Sequence, residues 1–468
     1  MEEKTLLLVC SFLLVLAGLF GCKKTVKESE QKPEMTGEVR LIALAPGHFH
    51  ASLVQKISYP QISNDVYVYA PKGDELQEYL KAVAAYNTRK DSPTRWNEIV
   101  YTGADFLEKM LGEKKGNVMV IAGNNAMKTE YIYKTLQSGI NVLADKPMVI
   151  FPEKFDMLKS CFDVVKEKNI LLYDIMTERY EITTQLQREL SMQKEIFGKL
   201  VEGSPENPAV MMESVHHFFK EVSGNSLKRP GWFYDVEQQG EGIVDVATHL
   251  VDLVQWECFP EQILDYAKDI ELIKAKHWTT NMDLSQFTKS TGLAAYPDYL
   301  KKDAVNDTLK IYSNGEIVYR IKGICAKVTA IWNFEAPPGG GDTHYSIMRG
   351  TKADLIIRQG AEQQFIPVLF IEIPQSVDPK VASADLEKNF LNVEKKYPGI
   401  GLKKISDRVW EVQVPQKYHN GHEAHFGQVT EKFLQYLKDK KLPEWEVPNM
   451  IAKYYTTTQA LKMAKSSN

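Results

Sequence analysis

The stretch Val118-Met-Val-Ile-Ala-Gly-Asn-Asn125, Ala126-Met-Lys-Thr-Glu-Tyr-Ile-Tyr-Lys-Thr-Leu-Gln-Ser-Gly139, Ile140-Asn-Val-Leu-Ala-Asp-Lys-Pro147 reads as strand, helix and strand. The two apolar runs are short and uninterrupted, as in strands covered on both faces. Between them, Met127/Tyr131 and Ile132/Leu136 stand four residues apart, the spacing of one helix face. Gly139 sits where a helix ends in a left-handed residue. A right-handed helical crossover between two parallel strands produces this pattern. Ligands of such sheets gather at the carboxyl ends of the strands. The spacing therefore predicts that Gly123-Asn124-Asn125 and Asp145-Lys146-Pro147 face one crevice, with Lys146 the first candidate for chemistry.

Working outward, strand and helix patterns alternate from Val39 to Tyr173, which predicts a doubly wound parallel sheet. From about residue 307 the pattern becomes antiparallel. Leu309, Ile311, Ile317, Tyr319 and Ile321 alternate around Asn314-Gly315, a two-residue hairpin signal. Further strands are expected at 327–334, 344–348, 355–358 and 368–373, and helices at 422–438 and 449–465. The fold class is α/β, a doubly wound parallel sheet followed by an α+β domain with a mainly antiparallel sheet. The boundaries read as 1–21 leader, 22–37 tether, 38–150 parallel-sheet domain and 151–468 second domain.

The chain has 468 residues, more than one compact domain needs. Its 57 basic and 61 acidic residues give a net charge of −4, which suggests no nucleic-acid surface. Leu6 to Gly21 is apolar and ends Leu19-Phe20-Gly21-Cys22, which resembles a bacterial lipobox. Cys22 is then the lipidated residue. The expected location is the cell envelope, lipid-anchored and periplasmic. Cys161, Cys258 and Cys325 lack metal spacing and read as buried thiols.

At the first strand–helix turn a dinucleotide fold wants Gly-x-Gly-x-x-Gly. This chain has Ala45-Pro46-Gly47-His48-Phe49-His50, which keeps only the middle glycine. The second strand ends Tyr69-Ala70-Pro71-Lys72, without the ribose-binding acid. Further on, Asp245, His249, Asp252 and Trp256 fall on one helical stripe, a pattern that suits an aspartate orienting a histidine general acid/base. His216-His217 lies in an apolar run, where one ring is expected to point away. His419, His422 and His425 invite a zinc reading, but the third falls about 120° round a helix from the first, so no metal site is assigned.

With Asp145-Lys146-Pro147 and Asp245-x-x-x-His249-x-x-Asp252 both present, the chain resembles the glucose–fructose oxidoreductase/inositol dehydrogenase (Gfo/Idh/MocA) family. Within it, a Bacteroidetes-type lipoprotein subgroup with its own C-terminal domain is the nearest likeness. Gly123-Asn124-Asn125 and Glu178-Arg179-Tyr180 also look like family segments. The resemblance implies a Rossmann domain holding NAD or NADP through Gly47, His48, Phe49, Gly123, Asn124, Asn125, Asp145 and Lys146. It implies a carbohydrate or polyol bound near Arg179, His217, Trp232 and Asp252. Lys146 and His249 would bracket the reacting carbinol, with Asp245 orienting His249. Glycoside cleavage by transient oxidation and a purely binding lipoprotein are the alternatives. A homo-oligomer formed through the C-terminal sheet is also expected.

Overall fold

The computed structural model describes residues 38–222, 225–226 and 228–467. The leader, tether and Cys22 lie outside them. Six parallel strands form the first sheet: β1 (Leu41–Leu44), β2 (Asp65–Ala70), β3 (Asn97–Thr102), β4 (Val118–Ile121), β5 (Asn141–Asp145) and β6 (Leu172–Ile175). Their order is β3-β2-β1-β4-β5-β6, so the chain starts in the middle and winds outward both ways. The uninterrupted apolar runs follow from this placement. Every residue of β1, β4 and β6 is buried, whereas Ile99 and Val100 of the edge strand β3 are exposed. The helix of the deciding stretch, Lys128–Gln137, buries Ile132 and Leu136 and ends before Gly139 at φ 87°. Met127 caps it from outside and stays exposed, so it takes no part in the buried face. The parallel sheet runs past residue 150, the boundary drawn from the sequence, and closes with β6 at Ile175.

The second sheet has ten strands. Its main path runs Ile270–Asp283, Thr308–Ile321, Ile324–Glu335, Val210–Phe219, Thr343–Arg349, Asp354–Arg358, Val368–Glu372, Val409–Gln413 and Gly401–Lys404. Only the pairing of Ile324–Glu335 with Val210–Phe219 is parallel among these neighbours. The hairpin expected at Asn314-Gly315 does not form. Thr308–Ile321 is one strand running straight through both residues. Asn314 sits beside a register shift, donating from Nδ2 to the Trp278 carbonyl (3.1 Å) and accepting from the Trp332 N–H (2.7 Å). A Cβ at Gly315 would fall 2.2 Å from Ile243 Cγ1, so the glycine serves close packing and not a turn.

Two elements of the second half fold back towards the parallel sheet. The helix Ala247–Cys258 packs on the strands Val210–Phe219 and Ile324–Glu335 and on the terminal helix Glu446–Ser466. The helix His422–Asp439 lies against β6 and the 3-10 turn Thr177–Tyr180 that follows it. Phe426, Val429 and Phe433 join the apolar core of the first sheet from there. Among the described residues no helix is long and apolar enough to cross a membrane. Cys161, Cys258 and Cys325 are free thiols.

Candidate active site

Strands β1, β4, β5 and β6 are adjacent, so their four carboxyl-end loops stand side by side. The first two press together. The N–H groups of Gly47 and His48 donate to the Ala122 carbonyl at 3.0 and 3.2 Å. A Cβ at Gly123 would lie 2.6 Å from the Ala45 carbonyl oxygen and 2.9 Å from Gly47 N. Ala45 holds φ 43°, a left-handed conformation that glycine adopts more cheaply. The loop thus has the path of a glycine-rich turn without its first and third glycines. Phe49 is exposed, its ring 4.6 Å from that of His48 and 4.4 Å from that of His50. Trp232 reaches the loop: a Cβ at Gly47 would be 3.7 Å from its Cζ2.

Asn124 and Asn125 face the same crevice but are engaged with the second half of the chain. Asn124 Nδ2 donates to Gln238 Oε1 (2.6 Å), Asn125 Nδ2 to the Gln239 carbonyl (2.7 Å), and Asn125 N to the Gln238 carbonyl (2.8 Å). These bonds tie the end of β4 to the segment that leads to Asp245.

The third loop carries a cluster of paired, largely buried charged groups. Lys146 Nζ donates to Asp245 Oδ1 at 2.6 Å, and both side chains are largely buried. The neighbouring Asp145 accepts on Oδ2 from His50 Nδ1 at 2.9 Å, with His48 Nδ1 at 3.9 Å from the same oxygen. Beneath them the buried Lys128 donates to the Asp145 carbonyl at 3.1 Å. Burial draws the Lys128 pKa down to about 8. From the other half, His422 Nε2 comes within 3.3 Å of His50 Nε2. Burial, then the neighbouring His50, holds His48 well below the usual imidazole value; burial and His422 do the same to His50.

His249 is half-buried on the first turn of its helix, and its Nδ1, itself shielded from solvent, has no hydrogen-bond partner. Burial, reinforced by the charge of Lys146, pushes its pKa well down, which keeps the ring neutral. The expectation that Asp245 orients His249 is corrected here. Asp245 precedes the helix, which begins at Ala247, and its N–H closes a turn on the Glu241 carbonyl (3.0 Å). A residue outside the helix does not share its stripe, and Asp245 pairs with Lys146 instead.

Arg179 and Asp252 also take other roles than substrate contact. Arg179 Nε and Nη2 donate to Asp252 Oδ2 and Oδ1 at 2.6 and 2.7 Å, and Nη1 to Glu446 Oε1 at 3.0 Å. Lys453 bridges Asp252 (2.8 Å) and Asp174 (2.7 Å), and all five side chains are buried. Burial raises the Asp252 pKa, but Arg179 and Lys453 outweigh it and hold the carboxyl well below its usual range. This is a closed ion network that clamps the two halves together; its groups already have partners.

Both rings of His216-His217 reach one carboxylate, against the expectation that one points away. Asp342 lies just before the strand Thr343–Arg349, its oxygens 3.1 Å from His216 Nδ1 and 3.3 Å from His217 Nδ1, and it also pairs with Lys220.

The C-terminal region, residues 186–465, matches the family described as "Putative oxidoreductase C terminal domain". That span is more than half of the chain. A crystal structure described as a "putative oxidoreductase" from Parabacteroides merdae is 63% identical, covers 92% of this chain and 98% of its own, and superposes with a TM-score of 0.91. The chain belongs to this oxidoreductase family. Its fold is that of the Gfo/Idh/MocA oxidoreductases. A levoglucosan dehydrogenase solved with NADH and levoglucosan has 13% identity and TM-score 0.58 over 92% of this chain and 98% of its own. A 3-ketoreductase from Actinomadura kijaniata solved with NADP has 11% identity and TM-score 0.55 over 91% and 97%. No curated protein matches the sequence.

Within this oxidoreductase, several crevice residues escape a reading of the sequence. Glu178 follows β6, and burial with the nearby Glu181 charge raises its carboxyl to about 7 against the pull of Lys146. Its segment was visible, its titration was not. Lys128 did leave a signal, standing four and eight residues before Ile132 and Leu136 on the buried face of its helix. Lys220 and Asp342 left none, and His422 stood out only within a histidine group whose partner, His50, a long return of the chain supplies.

Proposed function

We propose that the protein is an NAD(P)-dependent oxidoreductase acting on a CH–OH group of a carbohydrate, glycoside or polyol. The observation that carries this reading is the Lys146–Asp245 pair at the end of β5, beside a neutral His249 with an unpartnered ring nitrogen. The first loop fits a dinucleotide in its backbone. Gly123 leaves no room for a side chain between the two loops, and Ala45 keeps the left-handed turn. Gly47, His48 and Phe49, with Gly123 and the Asp145–Lys146 end of β5, would hold it. When bound, a nicotinamide supplies the acceptor or donor of hydride.

The chain's own residues would handle the proton and the charge. Asp245 fixes the Lys146 ammonium, whose remaining N–H donors serve the oxygen that becomes or leaves a carbonyl. His249, neutral and unpartnered, takes or returns the hydroxyl proton. Solved relatives of the same fold with NADH and levoglucosan, or with NADP, support the cofactor and substrate class. Glu178, titrating near neutrality beside Lys146, favours a second reading in which oxidation is followed by C–H abstraction and loss of an aglycone. The deciding experiment is calorimetric titration with NAD⁺ and NADP⁺, then single-turnover reduction of bound cofactor by sugars, glycosides and polyols. Absence of dinucleotide binding to folded protein would falsify the reading.

Attachment to the cell envelope through lipidated Cys22 belongs to the same proposal, resting on Leu19-Phe20-Gly21-Cys22. Labelling with a fatty-acid analogue tests it, and unlabelled wild-type protein rejects it. Self-association through the C-terminal sheet rests on the exposed Ile273, Trp278 and Tyr312 of two adjacent strands. Sedimentation of wild-type protein and of Trp278→Ser checks it; a monomeric wild type excludes it.

A further inference from the structure

His50 occupies the place of the third glycine in a dinucleotide fingerprint, and His48 stands two residues before it. Both rings turn towards the end of β5. His50 Nδ1 is 2.9 Å from Asp145 Oδ2, and His48 Nδ1 is 3.9 Å from the same oxygen. The second separation is too long for a hydrogen bond. Two ligands held at about 2.1 Å by one tetrahedral ion stand about 3.4 Å apart, between these two values. One donor atom from each of the three side chains lies within 4.8 Å of the other two.

We propose that His48, His50 and Asp145 bind a divalent transition-metal ion of the zinc class through His48 Nδ1, His50 Nδ1 and the Asp145 carboxylate. Two imidazoles and one carboxylate make a borderline set that suits Zn²⁺ or Co²⁺, and three protein ligands leave a coordination position open. The support around the set has the form that metal-bound histidines require. Ligation through Nδ1 leaves His50 Nε2 to carry the proton, and His422 Nε2 stands 3.3 Å away to accept it. Asp145 is anchored from below by Lys128 at its carbonyl. His48 lies in the loop after the first parallel strand, His50 opens the short helix His50–Leu53 and Asp145 ends the fifth strand, so the three converge from two of the carboxyl-end loops. The cost is small: the apo contact of His50 N with His48 Nδ1 is a long 3.4 Å. The inference rests on this ligand set and is independent of the hydride reading.

The test is titration of the metal-free full chain with Co²⁺, read by its visible d–d absorption. One equivalent should bind, without a thiolate charge-transfer band. His50→Ala and Asp145→Asn should lower the affinity by about a hundredfold or more, and His422→Ala by about tenfold. His419→Ala, on the same stretch as His422 but outside the set, should leave it unchanged. No stoichiometric uptake by the wild type, or unaltered affinity in both ligand variants, overturns the proposal. X-ray absorption of the Zn²⁺-loaded wild type needs no variant. It should show nitrogen and oxygen neighbours with two imidazoles, and sulfur or a lack of imidazole overturns the site. Metal uptake without dinucleotide binding would reject the hydride reading and keep this one.

Discussion

Lys146 Nζ and Asp245 Oδ1 meet at 2.6 Å although 99 residues separate them in the chain. One ends a parallel strand and the other stands in the turn before a helix of the second half, so only the closed crevice brings them together. Each is largely buried, and removing either leaves the other's charge without its partner.

On that basis, Lys146→Ala should cut single-turnover cofactor reduction by about a hundredfold or more, and Asp245→Asn by a smaller factor. The double variant should be little worse than Lys146→Ala, because the aspartate acts through the lysine. Rates that multiply in the double variant would show that the two residues act separately.

Gly123→Ala and Gly47→Ala should differ. At Gly123 a methyl meets the Ala45 carbonyl at 2.6 Å and backbone must move, whereas at Gly47 the nearest atom is 3.6 Å away. Gly123→Ala should lower dinucleotide affinity by about tenfold and stability by about 1–3 kcal/mol. Gly47→Ala should remain near wild type by calorimetry and thermal melting. Equal effects would place the cofactor away from this loop junction.

The Arg179–Asp252–Lys453 network should matter to stability before it matters to substrate. Arg179→Met leaves Asp252 and Glu446 short of a partner and should cost about 3–5 kcal/mol. Because the Asp252 carboxyl is depressed in the folded protein, its contribution is complete above the ordinary aspartate pKa and fades as pH falls below it. Denaturant midpoints of wild type and variant, measured from pH 7 down, should converge in acid. A normal midpoint with altered substrate affinity would return Arg179 to the binding site.

Glu178 has the opposite sign. Its folded pKa of about 7 lies above the ordinary 4.5, so the folded state holds an extra proton between those values. Stability is fullest below pH 4.5, declines as pH rises towards 7 and is flat beyond. Glu178→Gln should remove that decline from the stability profile. An unchanged slope would mean that another group carries it.

Much of the fold was legible because it rests on short-range rules. Apart from Met127, which stays outside the helix, Val118–Pro147 folds as read, since burial on both strand faces, helix periodicity and Gly139 all act within a few residues of one another. Local rules failed where a distant neighbour supplied the reason for a residue. Asn314-Gly315 looks like a turn, but Asn314 bonds to Trp278 and Trp332 while Gly315 makes room for Ile243. Asp245 looks like part of a helical stripe, but the helix starts after it and its partner is Lys146.

The sequence by itself determined the parallel sheet, the loops that share its carboxyl edge and the place of Lys146 on that edge, because hydrophobic period and chain direction settle those. Tertiary structure alone decided the partners. Arg179 and Asp252 meet 73 residues apart, and His50 and His422 meet 372 residues apart, where two sheets and a returning C-terminal helix close on one crevice. Charge and hydrogen bonding act over a few ångströms of space, and no spacing along the chain encodes which side chains the fold will bring within that reach.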